Sequence, residues 1–242
     1  MSPAELPNRV VVPTYNEADN LEPLVAAVLA AAPAGTGILV VDDASPDGTG
    51  EVADRLAAGD DRIAVLHRAG KEGLGPAYVA GFRRALELGA ERVVQMDADF
   101  SHDPSDVPRL IAAADHADLV LGSRYVAGGG IGDWGIGRQA ISRWGSTYAR
   151  AWLGISLRDL TGGFKCFRRE VLEAIRLETV SALGYAFQVE TTYRACLAGF
   201  RVAEVPIVFK DRRVGESKMS RSIVAEAALG VPVMRLRGKR WN

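Results

Sequence analysis

Short β-branched runs alternate with helix-length stretches through the first half of the chain, and that alternation leaves few folds open to it. Arg9–Pro13, Gly37–Val41, Arg62–His67, Arg92–Met96 and Ala117–Leu121 read as strands. Between them lie the apolar stretch LEPLVAAVLAAA, a helix reaching Ala57 after the turn Ala44–Gly50, a helix over about Pro76–Leu88, and one opened by DPSD with Asp103 as its cap. Strands separated by helices of about a dozen residues predict right-handed crossovers and a mostly parallel α/β sheet. Ligands of such sheets bind beyond the carboxyl ends of the strands. Polar residues gather at those ends: Thr14-Tyr15-Asn16-Glu17, Asp42-Asp43 and Asp97-Ala98-Asp99.

The regular alternation stops after Gly122. VAGGGIGDWGIGRQ is Gly-rich and expected to be mobile; a helix should follow to about Leu153, then TGGFKCF, one or two more helices, the strand-like RVAEVPIVF, the basic loop KDRRVGESK and a last helix. With 242 residues, 48% of them apolar and 24% charged, the chain can bury one large core, and it shows no repeat and no linker. One domain with a C-terminal elaboration is the expected organisation. A net charge of −1 supplies no overall field for nucleic acid or a membrane, so nucleic acid is excluded as a partner and any phosphate affinity must come from local patches. Cys166 and Cys196 belong to no CxxC or Cys/His cluster, which argues against zinc and disulfides and for a reducing compartment. MSPAELPNRVVVP lacks the features of a signal peptide, and Ile223–Met234, interrupted by Glu226 and Pro232, falls short of the ~20 apolar residues of a membrane span. A cytoplasmic protein touching a membrane from one side is expected.

The chemistry centres on MDADFSHDP. In an extended chain positions i and i+2 point the same way, so Asp97 and Asp99 can face one ligand. Two close carboxylates repel unless a proton or cation intervenes, and oxygen ligands favour a hard ion, Mg²⁺ or Mn²⁺, completed by water and substrate phosphates. The alternative is a solvated acidic turn. Asp43 and Glu17 can accept hydrogen bonds from a base or ribose; otherwise Asn16 or Asp19 caps a helix and Asp42-Asp43 are turn residues.

VVPTYNE, VVDDASPDGT, GLGPAYVAGF, MDADFSHDP, GSRY, GRQAISRWGS, DLTGGFKCF and RRVGESKM, in that order from about Arg9 to Ser220, resemble the polyprenol-phosphate (dolichol-phosphate) mannosyltransferases. These are family 2 inverting glycosyltransferases with the Rossmann-like GT-A fold. The resemblance implies a nucleotide-sugar-binding half over about 9–122, an acceptor-binding half over about 123–220, and a C-terminal helix and basic tail over 221–242. It implies that Pro13, Tyr15, Glu17 and Asp43 hold the donor nucleoside with Val41 lining the pocket, and that Ala98 lies near the donor. Asp97 and Asp99 would hold the metal, with Ser101, where some relatives carry Gln, as a candidate third ligand. Arg124, Arg138 and Ser142 match positions that grip the acceptor phosphate, and Arg212 and Lys218 match a loop that closes on the donor. Asp99 and Arg124 are the catalytic candidates.

The implied reaction moves mannose from GDP-mannose to a polyprenyl or dolichyl phosphate; UDP-glucose as donor, or a non-catalytic nucleotide-binding module, are the rivals. A phosphate monoester, with a second pKa of about 6, is already ionised near neutrality and needs no enzyme base to attack the anomeric carbon. The site must instead hold two anionic substrates together and stabilise the leaving diphosphate. GLGPAYVAGF lacks GxGxxG after a strand and fits a loop beneath the donor rather than a dinucleotide fingerprint. His67 and His102 read as structural or as donors to carbonyls.

Membrane contact has two sequence signals. Ile141, Trp144, Tyr148 and Trp152 form one stripe at helical spacing, with Arg143 and Arg150 opposite. The stripe suits either a bilayer surface or a protein core. Arg235, Arg237, Lys239, Arg240 and Trp241 suit anionic headgroups or simple solubility. A membrane-anchoring partner protein is a further way for such a chain to reach a lipid substrate.

Overall fold

The structure, a computed structural model, describes residues 6–132, 136–180, 184–210 and 221–238; the side chains of residues 136, 138, 185 and 221–229 also lie outside it. In chain order, β1 (Asn8–Thr14) leads through α1 (Ala18–Ala31) to β2 (Thr36–Asp42), α2 (Thr49–Gly59), β3 (Ile63–His67), α3 (Leu74–Glu87) and β4 (Arg92–Gln95). A 3-10 turn at Pro104–Asp106 runs into α4 (Val107–Ala113) and β5 (Leu119–Ser123). The later part comprises β6 (Gly130–Ile131), α5 (Ile136–Leu153), β7 (Lys165–Arg168), α6 (Arg169–Ala174), α7 (Gly184–Leu197), β8 (Val202–Pro206), β9 (Val208–Phe209) and α8 (Arg221–Gly238).

Seven strands form one sheet in the order β3-β2-β1-β4-β7-β5-β8. All neighbours run parallel except β7, which is antiparallel to both β4 and β5. Alternation along the strands loads both faces. Val10 and Val12 join Leu24, Val28, Val40 and Leu110 on one side, while Val11 joins Val41, Tyr78, Phe82 and Phe187 on the other. α3 comes close to the sheet because residue 81 has no side chain: a Cβ on Gly81 would lie 2.5 Å from Val11 Cγ1 and 2.9 Å from Val41 Cγ2. A third cluster joins α5, α7 and α8 through Ala149, Leu153, Val189, Tyr193, Val231 and Met234.

Three expectations change. TGGFKCF is no mere connection but supplies β7 to the middle of the sheet. The Gly-rich stretch contains β6, which pairs in parallel with β9. GLGPAYVAGF is mostly helix, since α3 begins at Leu74 and carries Tyr78 on its buried face.

Candidate active site

The tips of β1, β2 and β4 lie side by side, and each is followed by a non-glycine residue in left-handed conformation: Asn16 (φ 59°), Ala44 (φ 54°) and Phe100 (φ 61°). Such backbone costs on the order of 1–3 kcal/mol for each residue and gathers where a surface must be shaped for a ligand. The two acids of the second tip have different tasks. Asp42 is a brace, accepting from Thr14 Oγ1 at 3.2 Å and from Ser45 Oγ at 2.5 Å. Asp43 is buried and paired with Arg68, which also reaches Glu72. Burial pushes the Asp43 carboxyl above its ordinary range, with the Arg68 hydrogen bond acting against it.

Tyr15 and Pro13 are half-buried at the first tip, with Lys71 Nζ 3.9 Å above the Tyr15 ring. Glu17 donates its N–H to Thr49 Oγ1 at 3.0 Å, and its carboxylate accepts from Asn20 at 2.8 Å. Asp47 ties these loops together, accepting from Ala18 N–H at 3.1 Å and Thr49 Oγ1 at 2.6 Å. Val41 does not line an open pocket. It is fully buried beneath α3, because the strand's alternation turns it into the core.

At the β4 tip, Asp99 is nearly buried and accepts the Ser101 N–H at 3.1 Å, while Ala98 packs into the core. Asp97 accepts a hydrogen bond from the Tyr78 hydroxyl at 2.7 Å and donates its N–H to His102 Nδ1 at 3.3 Å. His102 Nδ1 is therefore an acceptor, and the ring proton sits on Nε2. It stacks on Phe164 at 4.8 Å, and burial lowers its pKa despite the nearby Asp97 and Asp99 carboxylates, so the ring is neutral. His67 meets the Asp54 carboxylate at 2.8 Å instead of a carbonyl. Ser101 Oγ is buried with no hydrogen-bond partner among the described residues. The candidate donors at this tip are two carboxylates and the Ser101 hydroxyl, an all-oxygen set, and among the described residues no group of three or more His, Cys, Asp or Glu is placed to hold a metal. That set fits a hard divalent cation that takes its remaining ligands from water and phosphate.

The loop 159–163 connects this tip to the end of β5. At one end Gly163 abuts the carboxylate: a Cβ there would stand 3.5 Å from both Asp97 Oδ2 and Gln188 Nε2, in ordinary contact with each. At the other end Asp159 grips Arg124 in a buried two-pronged ion pair, both N···O distances being 2.7 Å, and Thr161 Oγ1 accepts from the same guanidinium at 2.9 Å. Burial acts against the Asp159 carboxylate, yet the Arg124 charge and hydrogen bonds hold it below the usual carboxylate range. Arg124 is thus a buried cation whose plane is fixed by Asp159 and Thr161. Ser142 joins it indirectly, accepting from the Tyr125 hydroxyl at 2.6 Å. Tyr125 in turn packs against the Arg124 and Arg143 guanidinium groups. The Arg138 side chain, Arg212 and Lys218 lie outside the described residues.

Beneath the loop, Lys165 is fully buried and donates to Gln188 O at 2.7 Å and Thr192 Oγ1 at 3.0 Å. Desolvation lowers its pKa to about 7, against the pull of Asp159. Sequence reasoning assigned no role to Arg68, Tyr78, Asp159 or Lys165. DLTGGFKCF offered a signal for the last two, since an acid and a lysine flank a paired glycine, but only the fold shows which partners they meet.

Residues 9–176 match the sequence profile of Glycosyl transferase family 2. The chain is a family 2 glycosyltransferase. It is 50% identical over 232 residues to the undecaprenyl-phosphate mannosyltransferase of Micrococcus luteus, covering 96% of this chain and 95% of that protein. It is 49% identical to the polyprenol monophosphomannose synthase of Mycolicibacterium smegmatis, covering 95% of this chain and 87% of that protein. Two solved structures show that this transferase has the GT-A fold. Glucosyl-3-phosphoglycerate synthase from Mycobacterium tuberculosis, in complex with Mn²⁺, uridine diphosphate and glucosyl-3-phosphoglycerate, superimposes with a TM-score of 0.66 at 18% identity, over 97% of this chain and 84% of its own. A mannosyltransferase from Pyrobaculum calidifontis in complex with GDP-Man and Mn²⁺ gives 0.57 at 18% identity, over 97% and 73%.

Proposed function

We propose that this glycosyltransferase moves mannose from GDP-mannose to a polyprenyl phosphate with inversion at the anomeric carbon. The observation that carries the reading is the loop 159–163. It joins a carboxylate pair suited to a cation–diphosphate complex to a rigid, buried guanidinium at the neighbouring strand end. The substrate class follows from the names of the two relatives at about half identity.

Pro13, Tyr15, Glu17 and Asp43 hold the nucleoside, with Asp43 kept in place by Arg68. Asp97 and Asp99 hold Mg²⁺ or Mn²⁺, with Ser101 Oγ as a third donor. The ion's contribution when bound is to neutralise charge on the departing diphosphate. Arg212 and Lys218 close over the donor. Arg124, Arg138 and Ser142 receive the acceptor phosphate, and Asp159 keeps the Arg124 plane in one orientation so that little reorganisation accompanies attack. The phosphate oxygen attacks as an anion. No proton has to reach a side chain, which agrees with a neutral His102 whose Nδ1 already accepts a backbone N–H.

A lipid acceptor calls for contact with a membrane, which in this reading is made from the cytoplasmic side. Ile141, Trp144 and Trp152 of α5 support that location, being 50%, 56% and 49% exposed, while Tyr148 of the same stripe is half-buried against the cluster that holds Ala149 and Leu153. Val233 and Leu236 of α8 are exposed beside Arg235 and Arg237, whereas Lys239, Arg240 and Trp241 lie outside the described residues. Among the described residues no helix is long and apolar enough to cross a membrane.

Purified protein offered GDP-mannose or UDP-glucose with a short polyprenyl phosphate and Mn²⁺ should label the lipid from GDP-mannose alone. Asp99→Asn should lower that rate by about 10²–10³, the usual loss on removing one group that stabilises developing charge. Labelling from UDP-glucose alone, or an unaffected Asp99→Asn enzyme, would reject the reading.

A further inference from the structure

Asp97 is held by side chains that come from distant parts of the chain. The Tyr78 hydroxyl from α3 donates to Oδ1 at 2.7 Å, and His102 accepts the backbone N–H. Gln188 of α7 stands with Asp97 Oδ2 around the missing side chain of Gly163. Gln188 is itself fixed, because Gln95 of β4 donates to its Oε1 at 2.8 Å and Lys165 donates to its carbonyl. Tyr78 has no latitude. It is fully buried, stacked on Phe187 at 5.9 Å with a 6° interplanar angle, and packed on Phe82 at 5.6 Å. A carboxylate that binds a metal loses affinity when it can rotate, and outer hydrogen bonds that fix such ligands are commonly worth about 10–100-fold in metal affinity.

We infer that Tyr78 is a positioning residue of the active site, its hydroxyl locking the Asp97 carboxylate in the orientation that receives a divalent cation. This rests on the reading of Asp97 and Asp99 as the cation's carboxylates. A buried tyrosine hydroxyl needs some partner in any fold. A purely structural role would make the hydroxyl matter for stability and leave ion affinity alone.

The test is Mn²⁺ binding in the presence of GDP, followed by the electron paramagnetic resonance signal of the free ion. It compares the natural protein with Tyr78→Phe, Phe82→Leu and Asp99→Asn. Tyr78→Phe keeps the stacked ring and should raise the Mn²⁺ dissociation constant about 10–100-fold. Its GDP affinity in EDTA should stay unchanged, and saturating Mn²⁺ should restore transfer. Phe82→Leu disturbs the same aromatic cluster but keeps the hydroxyl, and should bind Mn²⁺ normally. A Tyr78→Phe affinity within about twofold of the natural protein would overturn the inference. So would an equal loss of Mn²⁺ affinity in Phe82→Leu, or a parallel loss of GDP affinity in EDTA. Unchanged Mn²⁺ binding by Asp99→Asn is the separate result that would remove the carboxylate reading, and the role of Tyr78 with it.

Discussion

Arg124 and Asp159 form an ion pair that water scarcely reaches, so each charge depends on the other. Removing one partner of such a pair leaves an uncompensated buried charge and costs about 3–5 kcal/mol. Asp159→Asn should therefore lower stability to urea by that order and raise the KM for polyprenyl phosphate, with the KM for GDP-mannose nearly unchanged. Parallel urea titrations and acceptor saturation curves check both effects. Arg124→Lys should not rescue, because an ammonium cannot span both carboxylate oxygens and Thr161 in one plane. At this scale the sequence was informative where acids end strands: Asp43, Asp97 and Asp99 all stand at tips of the sheet. It was uninformative where a side chain's partner is remote. Asp159 lies 35 residues from Arg124, Tyr78 lies 19 from Asp97 and Arg68 lies 25 from Asp43, and no spacing rule links such positions.

Among the elements, α3 and β7 do most to place the site. Gly81→Ala should press a methyl into Val11 and Val41 and lift α3, which carries Tyr78, away from the sheet. Overpacking of this kind costs roughly 1–3 kcal/mol, readable as a fall in the thermal midpoint. The alternating first half made β1 to β5 and their helices legible, since each strand has a β-branched run and each helix a turn-rich start. β7 escaped because it is four residues long, antiparallel and inserted between strands that precede it by many residues. Its Lys165 should give stability a pH signature. The folded pKa is about 7 against an ordinary 10.5, so across that window the unfolded chain binds a proton that the folded chain does not. Stability from this group therefore rises with pH between those values, while below about 7 both states are protonated and the full cost of burial remains. Lys165→Met should flatten that slope in urea titrations at a series of pH values and leave the protein at least as stable near neutrality.

The whole molecule joins the strand tips of its site to a helix that leaves Ile141, Trp144 and Trp152 exposed. The sequence left that stripe undecided between core and surface, because 3.6-residue spacing is the same for either. The structure divides it: Ile141, Trp144 and Trp152 are exposed, whereas Tyr148 packs against the cluster of Ala149 and Leu153. Trp144→Ser with Trp152→Ser should weaken binding to anionic vesicles by at least about tenfold, since burying one large apolar side chain is worth roughly 1.5–3 kcal/mol. Transfer to a short-chain, water-soluble acceptor should be little changed by the same pair of substitutions, and vesicle co-sedimentation with a soluble assay separates the two. The chemistry itself is tested most directly by the anomeric configuration of the sugar on the lipid product, read by nuclear magnetic resonance after incubation with GDP-mannose, a polyprenyl phosphate and Mn²⁺. One in-line displacement on the α-linked donor predicts a β-mannosyl phosphate. An α-linked product, or a lipid that acquires no mannose, would contradict it.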